Sequence, residues 1–414
     1  MRPWTVLVVV AVALPAPAAD HPLVLSAPVT HSDWMLRPGA AWGPAGVRTM
    51  LDTCKAAGLT RVYWRVLDGG RSLYASKLLD PQGKWEDDSF WHPVRPEDAA
   101  LVRRYGIPSE AERKKVRDKL DAIDYSQFDT LAEAVRYGHA IGLEVHAWIT
   151  INEDDHGWGV RSRFTKEHPE SRWRKRDGTE YHSQQSFAYP EVMRYKLAVV
   201  DEVVSNYAVD GVFLDWLRTG DVRDNPQTDR DGVADHGYEP PLIDGFRRDR
   251  GTDPRQLPNG DGRWVRYRAG PHTAFMRAVR RLVRAKRPRA EVAVLVAHPW
   301  CYRGLNDKID GNLRGLLCDV SAWADEGLID AVVAGGYYLP GGSAEAAYRA
   351  LENEVNGKAR VWLYAWMPRT VADVEREAGL ARTLGAGQIL FWEADYLDDG
   401  RPKAEISRAL RALK

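Results

Sequence analysis

The chain has 414 residues, of which 44% are hydrophobic and 28% are charged, a composition typical of a globular protein with a large core. Its 58 Lys and Arg residues balance its 58 Asp and Glu residues, which argues against nucleic acid or an anionic membrane surface as a partner. The sequence holds neither an HExxH nor a CxxC motif, so it predicts no metal site and no cofactor.

Residues 1–19 are typical of a secretory signal peptide. An Arg near the start precedes the apolar run 6–14, and small residues follow over 16–19. The run is too short for a membrane-spanning helix, and no later segment is apolar for long enough. We therefore expect residues 20–414 to form one secreted or periplasmic domain. In that compartment Cys301 and Cys318 either form a disulfide or, like Cys54, are small buried apolar residues.

Segments with helical periodicity alternate along the chain with short apolar runs typical of strands. The pattern predicts helices over residues 46–57, 130–141, 190–207, 272–286, 321–326, 344–355 and 371–383. It predicts strands over residues 61–66, 144–151, 211–216, 291–296, 330–333, 360–366 and 388–392, with an eighth strand around residues 31–36.

This alternation predicts an α/β fold, and specifically a (β/α)8 TIM barrel. Strands separated by helices pair in parallel through right-handed crossovers, and eight such units close into a barrel. The alternative is an open doubly wound sheet, but that fold usually carries a Gly-rich phosphate turn after its first strand. No such turn occurs here.

Two predicted loops are longer than a bare barrel needs, and they follow strands 2 and 4. The first covers residues 67–128, with a helix predicted over 110–123, and the second covers residues 217–268. Both lie where barrel active sites are built, so we expect them to shape a cleft. An Asp-dense piece at 221–231 lacks the spacing of an EF-hand loop, and a solvated loop is favoured over a Ca²⁺ site.

The segment VDGVFLDW, residues 209–216, is the most informative one for function. A buried apolar strand ends there on Asp215, although an unpaired carboxylate is costly to desolvate. Catalytic groups of barrel enzymes sit at the C-terminal ends of strands. Asp215 is therefore the first candidate for a catalytic residue.

Four blocks in order resemble the glycosyl-hydrolase-like 10 family, a group of exported barrel glycosidases. The blocks are GLTRVYWRVLDGGRSLYASKLLDP, GLEVHAWITINEDDHG, YPEVMRYKLAVVDEVVSNYAVDGVFLDWLR and DVSAWADEGLIDAVVAGGYY. The resemblance covers about residues 46–338 and, more loosely, the chain to residue 396. It implies a hydrolase-like barrel that acts on a poly- or oligosaccharide.

Cleavage of a glycosidic bond generally needs two carboxyl groups, one of which protonates the leaving oxygen while the other acts as nucleophile or base. Asp215 is the first of the pair. For the second we favour Glu393, which directly follows the last predicted strand, and Glu153 is the next candidate.

Other side chains at predicted strand ends are candidates for binding the sugar. Flat aromatic rings suit the apolar faces of sugars, and polar groups suit their hydroxyls. The predicted substrate-binding residues are Arg65, Asp68, His146, Trp148, Glu153, Trp216, His298, Tyr337, Trp366 and Trp392. For any one of them, packing in the barrel is the competing explanation. The basic run 172–176 is predicted to be a solvated loop, and the alternative is a binding site for an anionic glycan.

Two other functions fit the same pattern. One is a glycan-binding barrel without catalytic activity, and the other is a metal-dependent hydrolase or lyase that acts on a cell-wall sugar. The sequence specifies no protein partner.

Overall fold

The structure is a computed structural model, and it describes residues 23–30, 34, 43–82, 118–119, 121–152, 154, 162–215, 217, 231–297, 310–335, 343–392, 394 and 404–413, leaving aside the side chains of 182–184 and 297. In chain order the strands are β1 (Val24–Val29), β2 (Arg61–Arg65), β3 (Leu67–Asp68), β4 (Arg71–Ser72), β5 (Glu144–Thr150), β6 (Arg172–Arg174), β7 (Glu180–Gln185), β8 (Gly211–Asp215), β9 (Glu291–Ala297), β10 (Ala331–Gly335), β11 (Arg360–Trp366) and β12 (Gln388–Trp392). The α-helices are α1 (Pro44–Ala56), α2 (Thr130–Ala140), α3 (Arg163–Glu167), α4 (Pro190–Asn206), α5 (Pro240–Arg250), α6 (Gly262–Lys286), α7 (Gly311–Leu316), α8 (Val320–Asp325), α9 (Ala344–Val355), α10 (Val371–Leu384) and α11 (Ala404–Arg411).

Eight of these strands pair in parallel and close into a barrel. The order around the barrel is β1, β2, β5, β8, β9, β10, β11 and β12, and β12 then pairs with β1. Each barrel strand therefore lies beside its neighbour in the chain, with helices between them on the outside. The prediction of a (β/α)8 barrel is confirmed.

Most predicted elements agree with the observed ones to within one or two residues, and two differ. The first barrel strand is Val24–Val29 rather than residues 31–36. Pro28 lies inside that strand and Ser26 donates its hydroxyl to the Ile389 carbonyl, so the segment does not resemble an ordinary buried strand. Helix α6 begins at Gly262 rather than at residue 272, because it continues through Pro271 instead of starting after it.

Alternate residues of the barrel strands point inward and fill the interior in layers. At the N-terminal end, the Arg61 guanidinium donates hydrogen bonds of 3.0 Å to Glu291 and to Gln388 across the barrel. Above this charged layer lie the rings of Tyr63 and Phe213, with centroids 4.6 Å apart, and Trp362 packs against both. The N-terminal end of the barrel, called the foot below, is thus polar, and the middle of the barrel is aromatic.

Three long segments, rather than the two predicted, follow strands at the C-terminal end of the barrel. The additional one lies between β5 and α4 and contains α3 and the antiparallel pair β6–β7. Its Trp173 stacks on His236 of the segment after β8, with ring centroids 4.0 Å apart. Most of the predicted helix 110–123 lies outside the described residues.

The segment after β8 is organised by a buried cation. The Arg268 guanidinium is 1% exposed and donates hydrogen bonds to the carbonyls of Ala234, His236 and Asn259. Gly237, at φ +93°, allows this contact because a Cβ there would lie 2.6 Å from the Arg268 Cδ. What was predicted as a loop to residue 268 is therefore a packed unit that contains α5 and the start of α6.

No helix among the described residues is both long and apolar enough to cross a membrane. Residues 1–22, including the predicted signal peptide, lie outside the described part, and so does Cys301 of the proposed disulfide. Cys54 and Cys318 are buried.

Glu239, at the start of α5, is fully buried and gives a prediction about stability. Its Oε1 accepts a hydrogen bond from the Arg174 backbone N–H, whereas Oε2 has no partner among the described residues. Burial raises the pKa of Glu239 from 4.5 to about 7. Between these two pH values the folded chain keeps a proton that the unfolded chain releases, so stability falls as pH rises.

The variant Glu239→Gln stays neutral, so it should lose this part of the pH dependence. We expect the difference in the free energy of unfolding between variant and wild type to shift in favour of the variant by on the order of 3 kcal/mol from pH 4.5 to pH 8. Urea unfolding at both pH values measures it. The matched control is Glu405→Gln, at an exposed position on α11. A difference that is the same at both pH values would contradict the prediction.

Candidate active site

Asp215 is the last residue of β8, the fourth strand around the barrel. It has the same parity along the strand as the inward-pointing Phe213, so its carboxylate belongs to the inner layer nearest the C-terminal rim. The side chain is buried, at 2% exposure. Its Oδ2 accepts a hydrogen bond of 3.1 Å from the Nε1–H of Trp148 on the neighbouring strand β5. That bond offsets part of the cost of removing the carboxylate from water.

Trp148 connects Asp215 to two other strands. The Arg65 guanidinium, at the end of β2, lies 4.9 Å from the Trp148 ring centroid in a cation–π contact. The Trp392 ring, at the end of β12, packs edge-on against the Trp148 ring, with ring centroids 5.2 Å apart. Three predicted site residues, from β2, β5 and β12, therefore lie together next to Asp215.

Asp68 balances the charge of Arg65. Its Oδ1 lies 3.1 Å from the Arg65 Nη2, and Oδ2 accepts from Gln82 at 3.4 Å. Asp68 ends β3, which turns back into β4 through two glycines with positive φ, as a tight two-residue hairpin requires. Asp68 is therefore placed beside the site, in an ion pair at its edge.

A row of aromatic rings leads from Asp215 towards solvent. Beyond Trp392, the Tyr364 ring stacks at a centroid distance of 5.8 Å, and Trp366 then packs edge-on against Tyr364 at 6.1 Å. Trp366 is 39% exposed, and only one other large hydrophobic side chain among the described residues is as exposed. The row offers a sugar ring an apolar surface that begins in the barrel and ends at the rim.

A buried ion pair that was not predicted joins the segment after β5 to helix α4. The Lys196 ammonium contacts the Asp154 carboxylate, and the two side chains are 3% and 2% exposed. Burial lowers the pKa of Lys196, and Asp154 opposes that shift. The sequence carries a signal for this pair, because Lys196 lies on the same helix face as Val192, Val199 and Val200, which are buried.

His146 lies at the opposite end of the barrel from Asp215. It pairs in register with Gly211, the first residue of β8, which is about 13 Å from Asp215 along the strand. Its ring is fully buried, and its Nε2 lies 3.5 Å from Glu144 in the charged layer at the foot. Burial lowers the pKa of His146. His146 was predicted to bind the substrate, and this is corrected, because it packs in the barrel at the end away from Asp215.

The basic run 172–176 is also different from the prediction. Arg172 and Trp173 are buried in the β6–β7 pair, Arg174 pairs with Glu180 at 2.8 Å, and Lys175 pairs with Asp235 at 3.4 Å. The run is therefore neither a solvated loop nor an open grip for an anion.

Five candidate residues lie outside the described part of the chain: Glu153, Trp216, His298, Tyr337 and Glu393. Their roles stay predictions. Within the described residues, no group of three or more His, Cys, Asp or Glu side chains is arranged to hold a metal ion.

Comparisons with known proteins agree with this architecture. The chain is similar to the PgaB (BpsB) glycoside hydrolase domain from Bordetella bronchiseptica, with a TM-score of 0.60 and 14% identity over 95% of this chain and 100% of that one. It is also similar to the catalytic domain of β-amylase from Paenibacillus polymyxa, with a TM-score of 0.55 and 11% identity over 94% and 98%. At these identities the likeness shows a shared barrel fold.

None of the curated proteins matches the chain. A family model described as "Glycosyl hydrolase-like 10" matches residues 107–364, which is more than half of the sequence. The chain therefore belongs to the glycosyl hydrolase-like 10 family.

Proposed function

We propose that this protein is an exported glycoside hydrolase that cleaves a poly- or oligosaccharide at the C-terminal rim of the barrel, with Asp215 as one of two catalytic carboxylates. The observation that carries the proposal is the buried Asp215 carboxylate, held by Trp148 at the inner end of an aromatic row that reaches solvent at Trp366. A carboxylate fixed at the inner end of a cleft can act on a bound glycosidic bond. A row of aromatic rings leading to it can pack against the sugar rings.

Glu393 is our candidate for the second carboxylate. It follows Trp392, whose ring contacts Trp148, and the Trp148 N–H in turn binds Asp215. The acids described nearby are occupied in other ways, since Asp68 pairs with Arg65 and Asp154 pairs with Lys196. These pairings favour Glu393 over them and leave Glu153 as the alternative.

Export is supported by the pattern of residues 1–19, a basic start, an apolar run and small residues before Asp20. N-terminal sequencing of the protein recovered from outside the cytoplasm should give a chain that begins near Asp20. A mature chain that still begins at Met1 would contradict export by this route.

Asp215→Asn should lower the release of reducing sugar from an active polysaccharide by about 10³-fold or more, because the amide cannot act as nucleophile, acid or base. The amide can still accept the Trp148 N–H, so thermal unfolding should change little. The matched control is Asp244→Asn on the exposed face of α5, which should keep wild-type activity.

Asp215→Asn and a chelator together distinguish the two other functions from the proposed one. A glycan-binding barrel without activity would bind a polysaccharide before and after Asp215→Asn and turn over none. A metal-dependent hydrolase or lyase would lose its activity in a chelator and regain it when metal is added.

Glu393→Gln tests the proton donor. We expect a large loss on a polysaccharide but a much smaller loss on a dinitrophenyl glycoside, whose leaving group departs without protonation. Steady-state kinetics on both substrates measure the difference, and Glu153→Gln is the comparison variant. If Glu153→Gln shows this selective loss and Glu393→Gln does not, Glu153 is the donor and our assignment is wrong.

A further inference from the structure

A groove of about 550 Å³ lies on the flank of the protein between helices α5 and α6. Its charged lining consists of Arg250 at the end of α5 and of Arg263 and Arg266 near the start of α6. None of the described residues that line it is acidic. We call this feature the arginine groove. Its volume is within the usual range of small-molecule sites, about 300–1,000 Å³.

The three guanidinium groups differ in their ion pairing. Arg250 and Arg266 are exposed and form no ion pair within the described residues, whereas Arg263 pairs with Asp261 at 2.8 Å. Asp249, which precedes Arg250 in the chain, accepts hydrogen bonds of 3.0 Å from Tyr267 and from Arg248. Guanidinium groups bind carboxylates through two parallel hydrogen bonds, so the groove suits an anion of that shape.

The rest of the groove suits the body of a sugar. Leu242 and the Tyr267 ring give it an apolar surface, and a Cβ at Gly270 would meet no atom within 4 Å, so this side is open. Pro271 has no N–H, which deprives the Tyr267 carbonyl of its usual donor one helical turn ahead.

The arginine groove opens at the same end of the barrel as Asp215 but outside the ring of strands. Ala188, which also lines it, lies two residues before Pro190, the first residue of α4. In a (β/α)8 barrel the helices begin at the end where the strands finish. A long chain bound at the rim can therefore extend over the edge of the barrel to this groove.

We propose that the arginine groove is a second binding site, separate from the Asp215 site, for the carboxylate-bearing sugars of an acidic polysaccharide. Arg250 and Arg266 bind the uronate carboxylates, and the surface at Tyr267 and Leu242 packs against the sugar ring. This inference rests on the proposed function only in taking a glycan as the ligand. Its test measures binding rather than turnover, so the two proposals fail separately.

Isothermal titration with hexagalacturonate, with neutral maltohexaose as the comparison ligand, tests the site. The double variant Arg250→Gln with Arg266→Gln should weaken hexagalacturonate binding by about tenfold or more. Gly270→Leu keeps every charge but fills the groove, and it should weaken binding to a similar degree. Asp215→Asn should bind as the wild type does.

Matched controls exist within the chain. Arg281→Gln with Arg284→Gln removes the same charge from exposed positions further along α6, and Gly379→Leu adds the same side chain at an open position on α10. Both should bind within about twofold of wild type. The proposal is overturned by an equal loss in the control pair, by equal affinity for maltohexaose, or by no binding of hexagalacturonate at millimolar concentration. It is also overturned if Asp215→Asn abolishes binding and the groove variants do not.

Discussion

A closed barrel of eight strands must fill its own interior with every second side chain, and the rest of the structure depends on how it does so. Here the filling is polar at both ends and aromatic between them. At the foot, Arg61 is held by Glu291 and Gln388, and at the rim Asp215 is held by Trp148. Buried polar groups are tolerated when they are partnered, and the aromatic layer keeps these two sets apart.

The long segments at the C-terminal end of the barrel are anchored to it by buried side chains. Trp148 is the common contact of Asp215, Arg65 and Trp392, so one indole ring relates three strands to one another. The Lys196–Asp154 pair fixes the segment after β5, and the Arg268 guanidinium fixes the segment after β8. A site on such supports keeps its geometry better than one on unsupported loops.

The sequence predicted the barrel and the position of Asp215 at a strand end because both follow from local pattern. A strand that ends on an acid is visible in eight residues, and parity along the strand places that acid with Phe213 inside the barrel. The alternation of inward and outward side chains does not show how far along the barrel axis a side chain lies. His146 was therefore expected at the rim, whereas it lies at the foot. The β6–β7 pair was missed because its short strands are stabilised by distant contacts, such as that between Trp173 and His236.

The charged layer at the foot and the aromatic layer above it fill the barrel from wall to wall, so the interior is a packed core and not a passage. No chain can be threaded through the molecule from one end to the other. Under the proposed function, substrate and product therefore reach and leave Asp215 at the C-terminal end of the barrel, where the exposed Trp366 lies.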